Sequence, residues 1–171
     1  MTTETLGRLS ATVEGDATSR RVSLRGRLDE STGLSSRATA WTAAEVTLDT
    51  AGVTFINSIG VREWLRLLRA FADAGVRIRL ERCAEVIIEQ INMIPDARGT
   101  AEVVSFHAPY QCAACGLEAP MLLEVARHAA SMREMRAPPM TCPDCGETME
   151  LYEVPERFFS FLVPVPPDDE G

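Results

Sequence analysis

Leu9, Ala11 and Val13 alternate with polar neighbours, and beyond the polar stretch from Gly15 to Ser19 the alternation resumes at Val22, Leu24 and, past Gly26, Leu28. A period of two marks a strand with one buried face, so two strands joined by a turn are expected here. Leu34, Ala38 and Trp41 fall at helical spacing inside the polar segment 29–42 and predict a short helix. Glu45-Val-Thr-Leu-Asp49 reads as a strand, and Val53-Thr-Phe-Ile56 follows it toward a turn. From Ser58 to Ala74 the period lengthens. Val61, Leu65, Leu68 and Ala72 form an apolar stripe widened by Trp64 and Phe71, with Arg62, Arg66, Arg69 and Asp73 opposite. Asn57 and Ser58 are N-cap residue types, and Gly75 stands where a helix stop is expected. Val76–Leu80 predicts a strand, Ala84–Ile94 a second helix with Ile87, Ile91 and Ile94 on one face and Pro95 ending it, and Thr100–Phe106 a last strand. Strands alternating with helices in this way define an α/β layer fold.

After Pro109 the periodicity stops. Four cysteines come in two pairs, with Pro138-Pro139 between them and no long amphipathic stretch. The expected organisation is therefore an α/β domain over 1–108, a small cysteine module over 109–163 and a disordered acidic tail over 164–171, whose Pro-Val-Pro-Pro-Asp-Asp-Glu-Gly run lacks the apolar content to fold.

The pairs are Cys112-Ala-Ala-Cys115-Gly116 and Cys142-Pro-Asp-Cys145-Gly146, with 26 residues between them. Two residues between thiolates let a tight turn aim both sulfurs at one ion, and a following glycine permits the backbone such a turn needs. Two such knuckles make a closed four-cysteine site, a zinc ribbon, so Cys112, Cys115, Cys142 and Cys145 are the expected ligands of one structural Zn²⁺. The spacing exceeds the common one and is also similar to rubredoxin, which keeps iron as the alternative. A redox pair needs only one Cys-x-x-Cys, and disulfides belong with an export signal, which Met1–Leu6 does not resemble. Cys83 has no partner in the sequence and reads as a half-buried thiol at a strand end. His107 and His128 are isolated, and no nucleophile–base–orienter set exists, so no catalytic residue is assigned.

Composition narrows the function. All 17 basic residues are arginine, which removes lysine-dependent Schiff-base and P-loop chemistry. No apolar run approaches the roughly 20 residues of a membrane-spanning helix, and a cytoplasmic protein is expected. The net charge of −8 is unevenly spread. Residues 1–108 hold 13 basic and 14 acidic side chains, whereas 109–171 hold 11 acidic and only four basic ones, Arg127, Arg133, Arg136 and Arg157. A nucleic-acid-binding ribbon would need clustered positive charge, so protein partners are favoured over nucleic acid. Phe158, Phe159, Phe161 and Leu162 read as an apolar anchor of the ribbon or a docking edge.

Leu48-Asp-Thr-Ala-Gly-Val-Thr-Phe-Ile-Asn-Ser-Ile-Gly60 and the helix after it resemble the signature of the STAS domain, named for sulfate transporters and anti-sigma factor antagonists. Gly26-Arg-Leu-Asp29 resembles the family's early Gly-x-Leu-Asp, and Ala74-Gly-Val-Arg-Ile-Arg-Leu80 its strand after the helix; the resemblance covers about 6–106. It implies a small sheet with helices mainly on one face and a non-catalytic signalling module. In anti-sigma factor antagonists the Ser of Asp-Ser-x-Gly is phosphorylated by a partner kinase, and the matching position is Ser58. This chain departs from that pattern with Asn57 in place of Asp. Two readings follow: Ser58 is a phosphorylated switch, or Asn57 and Ser58 only cap the helix in a constitutive scaffold or adaptor. Arg62, Arg66 and Arg69 are then either a solvated helix face or, with Asn57, Ser58 and Ile59, the rim of a docking surface for an anti-sigma factor, a serine kinase or a related regulator. No oligomeric state is implied.

Overall fold

The computed structural model describes residues 1–162. The two alternating stretches form β2 (Leu9–Gly15) and β3 (Ser19–Leu28), preceded by β1 (Thr2–Leu6) on the sheet edge. Asp16 closes the β2–β3 turn by accepting from the backbone N–H groups of Thr18 and Ser19 at 2.8 and 3.1 Å. β4 (Glu45–Ile56) is one continuous strand that takes in both predicted pieces, with irregular register against β3 where they meet. β5 (Arg77–Glu81) and β6 (Glu102–Val103) complete a six-stranded sheet in sequence order, β1–β2–β3 antiparallel and β3–β4–β5–β6 parallel.

Parallel neighbours need crossovers, and the helices supply them. A 3₁₀ turn (Leu34–Arg37) runs into the short α1 (Ala38–Trp41), α2 (Ser58–Asp73) joins β4 to β5, and α3 (Glu85–Met93) with the 3₁₀ turn Pro95–Ala97 joins β5 to β6. They cover the sheet face that carries Val22, Leu24, Val46, Leu48, Ile78 and Leu80, all buried. Trp64 of α2 reaches across and donates its indole N–H to the Ala97 carbonyl at 2.7 Å. On the opposite face charged side chains pair across strands. Asp49, nearly buried, takes Arg21 at 2.7 Å and Arg82 at 2.9 Å, and Arg21 also reaches Glu81 at 2.5 Å. Helices on one face of the sheet are the α/β arrangement expected.

The predicted strand over 100–106 is split instead. The Val104 N–H donates to the Leu80 carbonyl of the first sheet, while the Val104 carbonyl accepts from the N–H of Val125, which directly follows β8 of the second. The chain therefore changes sheets at Val104. β7 (Ser105–Cys112) runs straight through residue 108, the expected boundary, and heads a second, antiparallel sheet with β8 (Glu118–Glu124), β9 (Met140–Thr141) and β10 (Thr148–Leu151) in the order β8–β7–β10–β9. α4 (Val125–Arg133) fills the long spacer between the cysteine pairs, where no helix was expected. α5 (Pro155–Phe158) and a 3₁₀ turn (Ser160–Leu162) end the described chain, and the tail over 164–171 lies outside the described residues.

Phe158, Phe159, Phe161 and Leu162 are an anchor rather than a docking edge. All four are buried. The rings of Phe158, Phe159 and Phe161 lie 6.2, 6.2 and 5.0 Å from that of Phe106 in β7, a cluster of tilted and edge-on contacts that buries large apolar area. Asn92 of α3 locks this segment. Its amide N–H donates to the Phe158 carbonyl at 2.9 Å, and its oxygen accepts from the Ser160 hydroxyl and the Phe161 N–H at 2.9 and 3.0 Å. Arg98 donates to the Phe161 carbonyl at 2.9 Å. The cysteine module is thus clasped onto α3 of the first sheet's layer. Replacing Asn92 with Ala leaves two chain groups and a hydroxyl without partners, and is expected to cost about 1–3 kcal/mol in urea unfolding. Limited proteolysis should then cut first after Leu151; unchanged stability would mean the aromatic contacts alone hold the clasp.

Candidate functional site

The start of α2 is built around two close approaches to the end of β3. Asn57, extended at φ −107° and ψ −178°, donates its backbone N–H to the Leu28 carbonyl at 3.2 Å. Gly60 packs against the same carbonyl, where a Cβ would stand 2.1 Å from its oxygen. Only glycine fits there, for reasons of space and not of dihedral angle. The Asn57 side chain then caps the helix, its Oδ1 accepting from the Gly60 N–H at 2.9 Å.

The other half of the Asn57 amide donates to Glu30 Oε2 at 2.9 Å. An aspartate at 57 would cap equally well but would set one carboxylate against another. The Asn is therefore matched to Glu30, whose carboxyl is held below its ordinary range by its own backbone N–H and by Asn57. Next to it Asp29 is buried and accepts from Ser31 N and Oγ, with Arg8 and Arg27 at 3.5 and 3.8 Å on its second oxygen.

Ser58 and Ile59 stand on the first turn, Ile59 exposed, and Arg62, Arg66 and Arg69 continue the stripe along the outer side of α2. Arg66 pairs with Glu63 at 3.3 Å, while Arg62 and Arg69 have no carboxylate within 4 Å among the described residues. Glu63 in turn ties α2 to the preceding 3₁₀ turn by accepting from Ser35 N and Oγ at 3.1 and 2.6 Å. The result is a rigid helix face of one apolar and several cationic side chains beside a surface hydroxyl.

The second constellation is the four cysteines. Both knuckles fold alike. Cys112 N donates to Leu117 O and Gly116 N to Cys112 O, each at 2.8 Å; Cys142 N donates to Glu147 O at 2.8 Å and Gly146 N to Cys142 O at 2.9 Å. Gly116 and Gly146 sit at φ +79° and +78°, the left-handed region that favours glycine. β7 ends in the first knuckle, and the second is the turn between β9 and β10, so pairing of β7 with β10 brings the knuckles together.

The four sulfurs lie within 4.8 Å of one another, with Cys112–Cys145 at 3.5 Å and Cys115–Cys142 at 3.6 Å. A tetrahedron of metal–sulfur bonds of about 2.3 Å has edges of about 3.8 Å, so the set fits one four-coordinate ion. Backbone N–H groups of Cys115 and Ala114 point at the Cys112 sulfur and, with the Cys145 thiol, bring it down to about 7. The donor set can therefore hold a metal ion and leaves no coordination position open.

Cys83 departs from expectation: it is fully buried, not half-buried. It bridges to Phe106 in the neighbouring sheet, and burial first of all pushes its thiol up to about 12, which makes it unreactive. His107 is half-buried beside a small cleft with Ala51, Val53 and Pro120, and His128 lies on α4; neither joins the cysteine cluster. Glu30 and Asn92 were not singled out in the sequence. Both act through partners far away in the chain, which no local period encodes.

Seven chains of solved structures match this one. Among them is the anti-sigma factor antagonist SpoIIAA in its unphosphorylated form, at 18% identity over 42% of this chain and 71% of that one, with a TM-score of 0.34. No protein-family model matches the chain, and no curated protein matches it. The fold assignment rests on the strand order and helix placement described above: a mixed α/β sheet with helices on one face, joined to a four-cysteine module.

The Asn57–Glu30 match is testable. Asn57→Asp should lower the melting temperature at neutral pH, and adding Glu30→Gln should restore most of the loss. The lowered Glu30 carboxyl contributes stability that is present at neutral pH and lost as pH falls through its own lowered titration, so the gap between wild type and Asn57→Asp should close at acid pH, once both carboxyls are protonated. A deficit in Asn57→Asp that persists unchanged in the Glu30→Gln background would break the match.

Proposed function

We propose that this protein is a non-catalytic signalling module, similar in role to an anti-sigma factor antagonist, that docks a regulatory protein on the outer face of α2. The observation that carries this reading is the Ser58–Ile59 turn at the surface, followed by Arg62 and Arg69 without ion-pair partners among the described residues. Ile59 supplies an apolar contact and the arginines attract an acidic partner such as an anti-sigma factor or serine kinase. Phosphorylation of Ser58 would put about two negative charges at a helix N-terminus that tolerates them, one turn from Arg62. The face would change sign locally, and the partner would be released.

A second reading, a constitutive adaptor, is favoured by one detail. Asn57 alone completes the cap, so Ser58 need never be modified for α2 to form. In both readings the cysteine module binds one Zn²⁺ through Cys112, Cys115, Cys142 and Cys145 and offers a second interaction surface. Zinc there supplies structure by closing the two knuckles. The division into an α/β module and a ribbon, the absence of nucleic-acid binding and a cytoplasmic location belong to the same proposal. No helix of the described residues is long and apolar enough to cross a membrane.

Metal analysis of the purified chain should give one zinc per molecule and a colourless sample, with Cys112→Ser/Cys142→Ser losing the metal. A red sample with iron–thiolate absorption would replace zinc by iron. For the partner, capture from native extract by wild type should exceed capture by Ser58→Asp and by Arg62→Glu/Arg69→Glu at least about tenfold for the same protein. Equal recovery by wild type and Ser58→Asp would leave only the adaptor, and equal recovery by the arginine variant would remove the α2 face from the account.

A further inference from the structure

Arg62 and Arg69 are exposed and have no carboxylate within 4 Å among the described residues. Beside Arg69 a cleft of about 190 Å³ opens between α2 and the turn before β6. Leu65, Leu68 and Ala72 line it from α2, together with Arg69 itself, and Asp96 and Gly99 line it from the turn. The last described residues lie next to this cleft. Arg98, the neighbour of Gly99, donates from its guanidinium to the Phe161 carbonyl at 2.9 Å, one residue before Leu162. Ala97 on its other side accepts the Trp64 indole N–H from α2. The stretch 97–99 thus touches α2, the cleft and the residue that leads into segment 163–171.

That segment reads Val163-Pro-Val-Pro-Pro-Asp-Asp-Glu-Gly171: two valines among three prolines, then three carboxylates and no basic residue. A proline-rich chain advances about 3.1 Å per residue, so the six residues from Leu162 to Asp168 reach about 19 Å. Arg62 and Arg69 are about 10 Å apart along α2 at its rise of about 1.5 Å per residue. Reach is therefore sufficient. The order of the segment also matches the surface, with an apolar cleft first and the cations at its rim and beyond. Asp96 disfavours a carboxylate inside the cleft and leaves that place to the valine–proline part. Exposed ion pairs are individually weak, but a tether this short holds the segment at an effective concentration of about a millimolar, so a weak contact is populated.

We propose that segment 163–171 docks in cis on the α2 face, with Val163 and Val165 against Leu65, Leu68 and Ala72, and Asp168, Asp169 and Glu170 pairing with Arg69 and Arg62. The protein's own acidic segment then occupies the surface offered to an acidic regulator, and a partner must displace it. This regulatory consequence rests on the proposed function. The docking itself does not.

The test uses the full zinc-loaded chain with the photocrosslinker p-benzoylphenylalanine replacing Val165. Irradiated at low protein concentration and low salt, it should crosslink within the chain to peptides holding Leu65–Ala72 or Gly99–Thr100, read by mass spectrometry. Arg62→Glu/Arg69→Glu and Asp168→Asn/Asp169→Asn/Glu170→Gln should each cut that yield at least about fivefold. Arg127→Glu/Arg133→Glu, on the neighbouring α4, should change it less than about twofold. Melting temperatures check that the variants fold, as expected for exposed positions. Crosslinks mainly elsewhere in the chain or between two chains, a yield indifferent to the α2 charges, or a loss produced by the α4 variant instead would overturn the proposal. With a partner in hand, the variant lacking the three carboxylates should capture at least about threefold more of it than wild type, and equal capture would overturn the regulatory consequence. Failure to capture any partner bears on the proposed function alone, because the crosslink is read without one.

Discussion

Phe106 is the residue on which the joint between the two halves depends. It is fully buried, sits second in β7, bridges to Cys83 at the end of the first sheet, and is ringed by Phe158, Phe159 and Phe161. Six residues further along the same strand comes Cys112, the first of the four clustered cysteines. One strand therefore carries both the aromatic joint and one corner of the cysteine cluster. Buried aromatic side chains of this kind are worth about 3–5 kcal/mol on truncation, a large share of the stability of an ordinary domain. The cysteine module is packed through this joint against the first sheet's layer.

Charge follows the same division. The first sheet pairs Arg21, Arg79 and Arg82 with Glu45, Asp49 and Glu81 on its outer face, while Arg62 and Arg69 on α2 have no ion pair among the described residues. The second half keeps an excess of carboxylates, 11 acidic against four basic side chains over 109–171.

Much of this was legible in the sequence because it is periodic or short-range. Alternation marked β2, β3 and β5, and the helical stripe and its caps marked α2 to within a residue of Ser58–Asp73. The cysteine spacing located the cluster, since each knuckle is a local turn. What escaped was long-range or weakly patterned. β1, Thr2–Leu6, has too few apolar residues to alternate. α4 is a short, alanine-rich helix whose Met132 is its one fully buried side chain. The break at Val104 depends on hydrogen bonds to Leu80 and Val125, each remote from it along the chain. Glu30 and Asn92 likewise acquire their roles only when the fold brings Asn57 and Phe158 to them.

The cysteine centre, β7, the aromatic clasp and α3 are packed as one unit. Native-state hydrogen exchange of the full chain, with one equivalent of zinc and after chelation, tests it most directly. Removing the ion should free the amides of β7 and β10 and, through Phe106 and Asn92, also raise exchange across Ile87–Met93 of α3. Loss of protection confined to the cysteine module, with α3 exchanging as before, would contradict the account.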